Sequence, residues 1–203
     1  MFGYCLNNPT IFTDPSGNRA EYFPVCLNDR GRQYITDQDG PLIGYKRFGL
    51  ATVSHGGCGA VASYNALITL GDGKDFDEVL AYYNSKMLTT IGYGLTGLLP
   101  YDIARYFNSM GYSTVITDDA DFINALSSSA DACIMFYMFP STYKVGPLSI
   151  DAFGAHFVEY SRQGNQFVGR NTSETDGVYT FKDPVCYGEK GRRYYVVGIF
   201  IYR

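Results

Sequence analysis

The chain has 203 residues, of which 46% are hydrophobic and 18% are charged, a composition that indicates a folded globular domain and argues against disorder. Its formal net charge is −4 and no long run of either sign occurs, which argues against nucleic acid or an anionic membrane as the main partner. The longest apolar runs, over 132–139 and 194–202, are too short to span a bilayer.

The cysteine content and the first residues bear on where the protein acts. There are 5 cysteines, an odd number with no CxxC pair, so at least one thiol is free and a disulfide framework is not expected. Residues 1–30 lack the basic start and apolar centre of a signal peptide. Export would therefore use another route or a larger parent chain.

Helix patterns dominate the first part of the chain after an irregular stretch over 19–56 with short extended pieces. Capping residues, glycine stops and apolar spacing set the expected boundaries. The predicted elements are a buried helix over 58–70 ended by Gly71, a helix from Asp75 to about Met87, a helix from Pro100 to Met110, a strand over 112–117, and a helix capped by Asp118 that runs through Leu126.

The period changes after residue 126, where alternating patterns predict strands that follow one another. Residues 162–165 predict the hairpin turn between two of them. The predicted strands are 132–139, 155–160, 166–171, 177–181 and 194–202. Helices followed by an antiparallel sheet predict an α+β fold in which the helices pack on the sheet.

Cys58 begins the predicted buried helix, within the sequence Gly56-Gly57-Cys58-Gly59. The N-terminus of a helix carries positive partial charge and unpaired N–H groups, and both stabilise a thiolate, the nucleophilic form of cysteine. We expect the flanking glycines to let a substrate backbone approach the sulfur. The amides of the same turn could hold an oxyanion.

Two further residues complete a candidate triad. His156, one of only 2 histidines, opens the predicted strand 155–160, where its imidazole could pair with the thiol of Cys58. Asn171 ends the next predicted strand, which the hairpin turn folds back beside the first. The side-chain amide of Asn171 would then fix the tautomer and orientation of the imidazole.

The order Cys58, His156, Asn171 resembles that of papain-like cysteine peptidases, and most closely the compact bacterial peptidases that trim double-glycine bacteriocin leaders. Residues 57–67 (GCGAVASYNAL) resemble their nucleophile helix, 132–139 their central strand and 154–158 their histidine strand, so the resemblance covers about residues 50–175.

This resemblance implies a papain-like fold in which the nucleophile helix packs on an antiparallel sheet. It implies Cys58 as the nucleophile, His156 as base and then acid, and Asn171 as the orienting residue. The resemblance also implies a protein or peptide substrate and a reaction that uses no cofactor and no metal. The family's oxyanion glutamine corresponds here to Thr52, whose hydroxyl is a shorter donor. Proteolysis, deamidation and transglutamination share this chemistry, and the sequence leaves the choice among them open.

The first 18 residues carry turn dipeptides around a short strand over 10–13. Their segment PTIFTDPSG, residues 9–17, resembles the end of the Rhs/YD-repeat core of bacterial polymorphic toxins, after which a variable effector domain follows. The resemblance implies a boundary between 1–18 and a cysteine peptidase domain over 19–203. It also implies secretion or delivery into a target cell as part of a larger toxin, with a cognate immunity protein as a partner.

Two other functions stay open. Because Thr52 stands where the family has its oxyanion glutamine, one alternative is a catalytically inactive papain-like module that binds a target through its Tyr-rich surface. The sequence GYGLTG, residues 92–97, matches GxGxxG and is followed by a predicted helix, a strand and Asp118, which outlines a dinucleotide-binding unit. The half-polar segment 87–91 and the uninterrupted run of later strands favour a loop between helices instead.

The remaining cysteines and the second histidine are weaker candidates. Cys133 lies in an apolar strand and is expected to be a core residue. Cys5, Cys26 and Cys186 lie in turn-like stretches with no partner signal. His55 and Cys58 could begin a metal site, but no second pair of close ligands follows.

Overall fold

The structure is a computed structural model of the whole chain. It describes residues 12–13, 21–22, 26–27, 33–86, 97–145, 148–172, 177–185 and 195–203. Of the segment 1–18, only Phe12–Thr13 belong to the described residues, so the expected boundary between 1–18 and 19–203 lies outside them. No helix in the described part of the chain is long and apolar enough to cross a membrane.

The elements follow one another in the order expected, with helices before most of the sheet. In chain order they are β1 (Phe12–Thr13), β2 (Glu21–Tyr22), β3 (Cys26–Leu27), β4 (Gln33–Tyr34), β5 (Arg47–Phe48), β6 (Ala51–Thr52), α1 (Val53–Gly56), α2 (Cys58–Leu70), α3 (Phe76–Lys86), α4 (Pro100–Ser109), β7 (Ser113–Thr117), α5 (Ala120–Leu126), β8 (Ala132–Val145), β9 (Leu148–Gln163), β10 (Gln166–Arg170), β11 (Val178–Phe181) and β12 (Tyr195–Tyr202).

The main sheet has six strands in the order β11-β10-β9-β8-β12-β7. Every neighbouring pair in it is antiparallel. The short strands pair separately as β1–β2, β3–β4 and β5–β6. The predicted α+β class, with helices and an antiparallel sheet, is confirmed.

Helix α2 is the central helix of the fold. Nearly all of its residues are buried, because its small and apolar side chains fill every face rather than one stripe. It ends as predicted at Gly71, which takes the left-handed conformation at φ 74° and donates its N–H to the Ile68 and Leu67 carbonyls. The helix therefore presents Cys58, its first residue, at a fixed place in the core.

Two apolar clusters lie on opposite faces of the sheet. The larger one packs α2, α3 and α4 on residues such as Ile134, Phe157 and Ile199. The smaller one packs Ile123 of α5 against residues of β8 to β12, including Phe200. Successive side chains of the central strands belong alternately to the two clusters, which is the pattern expected for strands buried on two faces.

The β8–β9 hairpin and the N-terminal cap of α5 both differ from the sequence prediction. The β8–β9 hairpin runs well past the predicted ends and reaches Val145 and Leu148. Pro140 and Phe153 pair across it and are both exposed, so the apolar alternation that marks a core-facing strand is lost there while the ladder continues. Asp119, not Asp118, caps α5, because its Oδ1 accepts hydrogen bonds from the two N–H groups of the first turn.

Residues 33–39 form a strap that crosses α2 before the chain reaches β5. Asn65 of α2 holds the strap by accepting from Ile35 N at 2.9 Å and donating to Ile35 O at 2.8 Å. Thr36 is buried against Gly177, where the positive φ of 68° and the lack of a Cβ allow the close contact. The strap thus joins α2 to the loop that follows β10.

Candidate active site

Cys58 lies buried at the first position of α2, only 9% exposed. Both flanking glycines are used by close packing of the chain itself. A Cβ on Gly57 would lie 2.6 Å from Val53 Cα, and a Cβ on Gly59 would lie 3.0 Å from Leu98 Cδ1. Packing of the chain itself therefore requires the small size of these glycines, and the substrate approach expected of them stays a prediction.

His156 of β9 reaches Cys58 where the sheet is incomplete. The ladder between β9 and β10 ends at the pair Glu159–Arg170, so β10 leaves β9 just before the residues that face the thiol. His156 forms a hydrogen bond with the Cys58 side chain, and the Phe157 backbone N–H donates to the same sulfur. The structure therefore brings together two residues that lie far apart in the sequence.

The electrostatics of this pair favour the charged form. Burial alone would raise the pKa of Cys58, but the hydrogen bond and charge of His156, with backbone hydrogen bonds from Phe157 and Gly59, lower that pKa below its usual range. Burial alone would lower the pKa of His156, but Cys58, the Asn171 carbonyl and the nearby Asp39 raise it. The opposite shifts point to a thiolate–imidazolium pair.

Asn171 contacts the imidazole through its backbone, not through its side chain. His156 Nε2 lies 2.6 Å from the Asn171 carbonyl oxygen. A carbonyl can only accept, so Nε2 carries the proton and Nδ1 is the nitrogen that remains for the thiol. The expectation that the side-chain amide holds the imidazole is corrected in this respect, because that amide is bonded elsewhere.

The direction of the Asn171 carbonyl follows from an unusual backbone conformation. Asn171 has φ 62°, the single positive φ of a non-glycine residue in the described chain. Asparagine tolerates the left-handed region better than most residues. The turn at Asn171 ends β10 after Arg170 and points the Asn171 carbonyl at His156.

The partner of the Asn171 side chain is Gln38, which sequence reasoning missed. Gln38 N donates to Asn171 Oδ1 at 3.1 Å, and Asn171 Nδ2 donates to Gln38 Oε1 at 3.0 Å. Gln38 Nε2 in turn donates to Ser54 O at 3.0 Å. No periodic pattern marks Gln38, which lies in an irregular stretch 133 residues before its partner in the chain.

Asp39 adds a negative charge beside the imidazole. Its Oδ1 accepts a hydrogen bond of 2.7 Å from Ser54 Oγ, and its charge helps to raise the pKa of His156. Asp39 itself is exposed. The strap and the turn before α2 therefore provide groups that surround the Cys58–His156 pair and that lie outside the predicted triad.

Of the other predicted site residues, Thr52 and His55 are exposed, and most of the GxGxxG segment lies outside the described part of the chain. Thr52 is exposed at the end of β6 and precedes α1, with no side-chain bond to that helix. His55 is exposed on α1, and no group of three or more potential metal ligands occurs among the described residues. Of the GxGxxG segment only Gly97 is described, so the dinucleotide-binding hypothesis lies outside the described part.

Cys133 is a core residue, as predicted. It is 3% exposed in β8, and burial raises the pKa of its thiol to about 12. It is therefore a protonated, unreactive thiol and contrasts with Cys58 in the same molecule. Cys5 and Cys186 lie outside the described residues, and only the backbone of Cys26 is described.

The sequence matches no protein-family model, and no curated protein matches it. The function of the chain is therefore inferred from the geometry of the Cys58–His156 pair.

Proposed function

We propose that the chain is a cysteine hydrolase that cleaves an amide bond through a thioester intermediate. The observation that supports this most is the buried Cys58 thiol hydrogen-bonded to His156, with opposite pKa shifts on the two groups and the distal ring nitrogen held by the Asn171 carbonyl. Burial raises the pKa of the Cys133 thiol, whose hydrogen-bond partner is the Tyr160 hydroxyl and not an imidazole. The lowered pKa of Cys58 is what a nucleophile requires.

In the proposed reaction, the Cys58 thiolate attacks the carbonyl carbon and forms a C–S bond. The tetrahedral oxyanion accepts hydrogen bonds from first-turn N–H groups of α2. The C–N bond then breaks, and the Nδ1 proton of His156 passes to the departing amine. In the second half, His156 takes a proton from water, the hydroxide attacks the thioester, and the thiolate is released with a carboxylic acid.

A papain-like arrangement is part of the proposal. The nucleophile at the N-terminus of a central helix and the histidine on a strand of an antiparallel sheet support it. Water as the acceptor gives hydrolysis, while loss of ammonia from a glutamine side chain gives deamidation and attack by another amine gives transglutamination. All three outcomes use the same residues and a protein or peptide substrate.

The biological setting is a separate proposal and rests on residues 9–17 alone. Their resemblance to the end of an Rhs/YD-repeat core supports an effector domain of a bacterial polymorphic toxin, delivered to a target cell and countered by an immunity protein. The enzymatic proposal does not depend on that setting.

Acylation by p-nitrophenyl acetate tests the enzymatic proposal, because this ester acylates a reactive thiolate regardless of the natural substrate. We expect a burst of nitrophenolate and an acetylated peptide that contains Cys58. Cys58→Ala should abolish both, whereas Cys133→Ala, which removes the other described thiol, should retain both. The proposal would be overturned if Cys58→Ala were acetylated as much as the wild type, or if the wild type were not acetylated at all.

A further inference from the structure

Gln38 bonds to both sides of the candidate site at once. Its main-chain N–H and its Oε1 bond to the two polar atoms of the Asn171 side chain, at 3.1 and 3.0 Å. Its Nε2 donates to the carbonyl of Ser54 in α1, the one-turn helix directly before α2. One residue therefore links the loop that holds His156 to the segment that carries Cys58.

The position of Gln38 is itself fixed by the strap. Two hydrogen bonds join Ile35 to Asn65 of α2, and Thr36 packs against Gly177 beyond the Asn171 loop. Tyr34 is also buried, with its hydroxyl 3.2 Å from Thr69 Oγ1. Because the strap is held on both sides, Gln38 meets Asn171 without the entropic cost of ordering a free loop.

We infer that Gln38 is a positioning residue: it holds Asn171 in the left-handed conformation that aims the Asn171 carbonyl at His156 Nε2. This inference rests on the proposed cysteine-hydrolase function, because its effect is on the Cys58–His156 pair. The left-handed region is unfavourable for an L-residue, so a side chain that is bonded at both polar atoms keeps the backbone there. When the backbone relaxes, the carbonyl turns away and the imidazole loses the acceptor that fixes its tautomer.

The test variant is Gln38→Met, which keeps the length of the side chain and the main-chain N–H but removes both side-chain amide bonds. Its matched control is Asn84→Leu. Asn84 also fastens a loop by its side-chain amide, accepting from Gly49 N at 2.7 Å and donating to Arg47 O at 3.1 Å. Both variants lose amide bonds of the same kind, but only Gln38 is bonded to the residue that holds His156.

The readout is the alkylation rate of Cys58 by iodoacetamide from pH 5 to pH 9, located by peptide mass spectrometry. We expect Gln38→Met to lower the rate at pH 6 about three- to tenfold, the range expected for one neutral hydrogen bond. The charged groups that act on the imidazole, Cys58 and Asp39, are unchanged in this variant. Asn84→Leu should leave the whole pH profile within twofold of wild type.

The double variant with Asn171→Gly shows whether Gln38 acts through Asn171. Asn171→Gly already lacks the side chain that Gln38 holds, so adding Gln38→Met should lower the rate no further. Additive losses, an unchanged rate in Gln38→Met, or an equal loss in Asn84→Leu would overturn the inference while the proposed function stands. A wild-type Cys58 that reacts no faster than an ordinary thiol at pH 6 would overturn both.

Nuclear magnetic resonance of the wild type keeps the inference testable when Gln38→Met does not fold. The Asn171 side-chain amide proton that is bonded to Gln38 Oε1 and the Nε2 proton of His156 should both exchange slowly with water, because both are hydrogen-bonded. Solvent-like exchange at the Asn171 amide overturns the inference, and slow exchange at both sites supports it.

Discussion

Replacing Asn171 by glycine and by alanine distinguishes its carbonyl from its side chain as the group that orients His156. Both variants delete the side-chain amide and both keep the carbonyl that accepts from His156 Nε2. They differ in the backbone, because glycine adopts the observed φ of 62° freely. Alanine pays about 1–2 kcal/mol to remain in the left-handed region.

The expected magnitudes follow from these contacts. Each variant loses the two hydrogen bonds between Asn171 and Gln38. Each such bond contributes about 1 kcal/mol. When the carbonyl is no longer held, we expect glycine to lower the alkylation rate of Cys58 at pH 6 about tenfold. The strain of alanine, about 1.4 kcal/mol, corresponds to about a further factor of ten, because the aimed conformation is populated less often.

The assay is the rate of carboxamidomethylation of Cys58 in the native protein at pH 6. Unfolding free energies from urea titration serve as a check that both variants are folded under these conditions. If glycine and alanine slow the reaction equally, the side-chain amide and not the carbonyl orients His156, and the reasoning from φ is refuted.

Three other predictions concern stability and pH. Glu159→Gln should lower the unfolding free energy by about 3–5 kcal/mol in a urea titration, because it leaves the buried Arg170 charge without the carboxylate now 2.7 Å away; a loss below about 1 kcal/mol contradicts this. Gly177→Ala should lower the unfolding free energy by at least about 3 kcal/mol, because φ is 68° and the added Cβ would overlap the Thr36 carbonyl. Gly111→Ala, with φ 91° and no atom within 4 Å of the added Cβ, should lower it by only about 1–2 kcal/mol. Equal losses in the two variants would contradict the predicted clash. Ester hydrolysis should follow a bell-shaped pH profile, with its acid limb below the usual range of cysteine and its alkaline limb above that of histidine, because thiolate and imidazolium must coexist; a rate that rises steadily through the usual cysteine range contradicts the ion pair.

The elements around the nucleophile were predictable because local signals agree with the tertiary fold there. Small and apolar residues over 58–70 and the glycine at Gly71 define α2, and its bounds, Cys58–Leu70, are as predicted. The β8–β9 hairpin was underestimated because hydrophobic alternation reports burial, and the exposed pair of Pro140 and Phe153 continues the ladder without it. Hydrogen-bonded strands need no buried face to extend.

The candidate site was predictable in its side-chain chemistry but not in its backbone. A reactive thiol needs a base, and a chain with two histidines offers few choices, so the pair of Cys58 and His156 follows from composition and topology. The carbonyl of Asn171 does not, because every residue has a carbonyl and only the fold decides where it points. Gln38 lacks any sequence signal for the same reason, since its role depends on contacts with residues 133 positions away.

Competitive alkylation tests the central claim, that Cys58 and His156 form a reactive ion pair, most directly. Native wild type and His156→Ala are each treated with limiting iodoacetamide at pH 6, and the labelled peptides are quantified. An ordinary thiol is only about 0.3% thiolate at that pH, so we predict that Cys58 labels about a hundredfold or more faster than free cysteine under the same conditions and loses this lead in His156→Ala. Labelling of Cys58 that is no faster than that of free cysteine, or that is unchanged in His156→Ala, would contradict the claim.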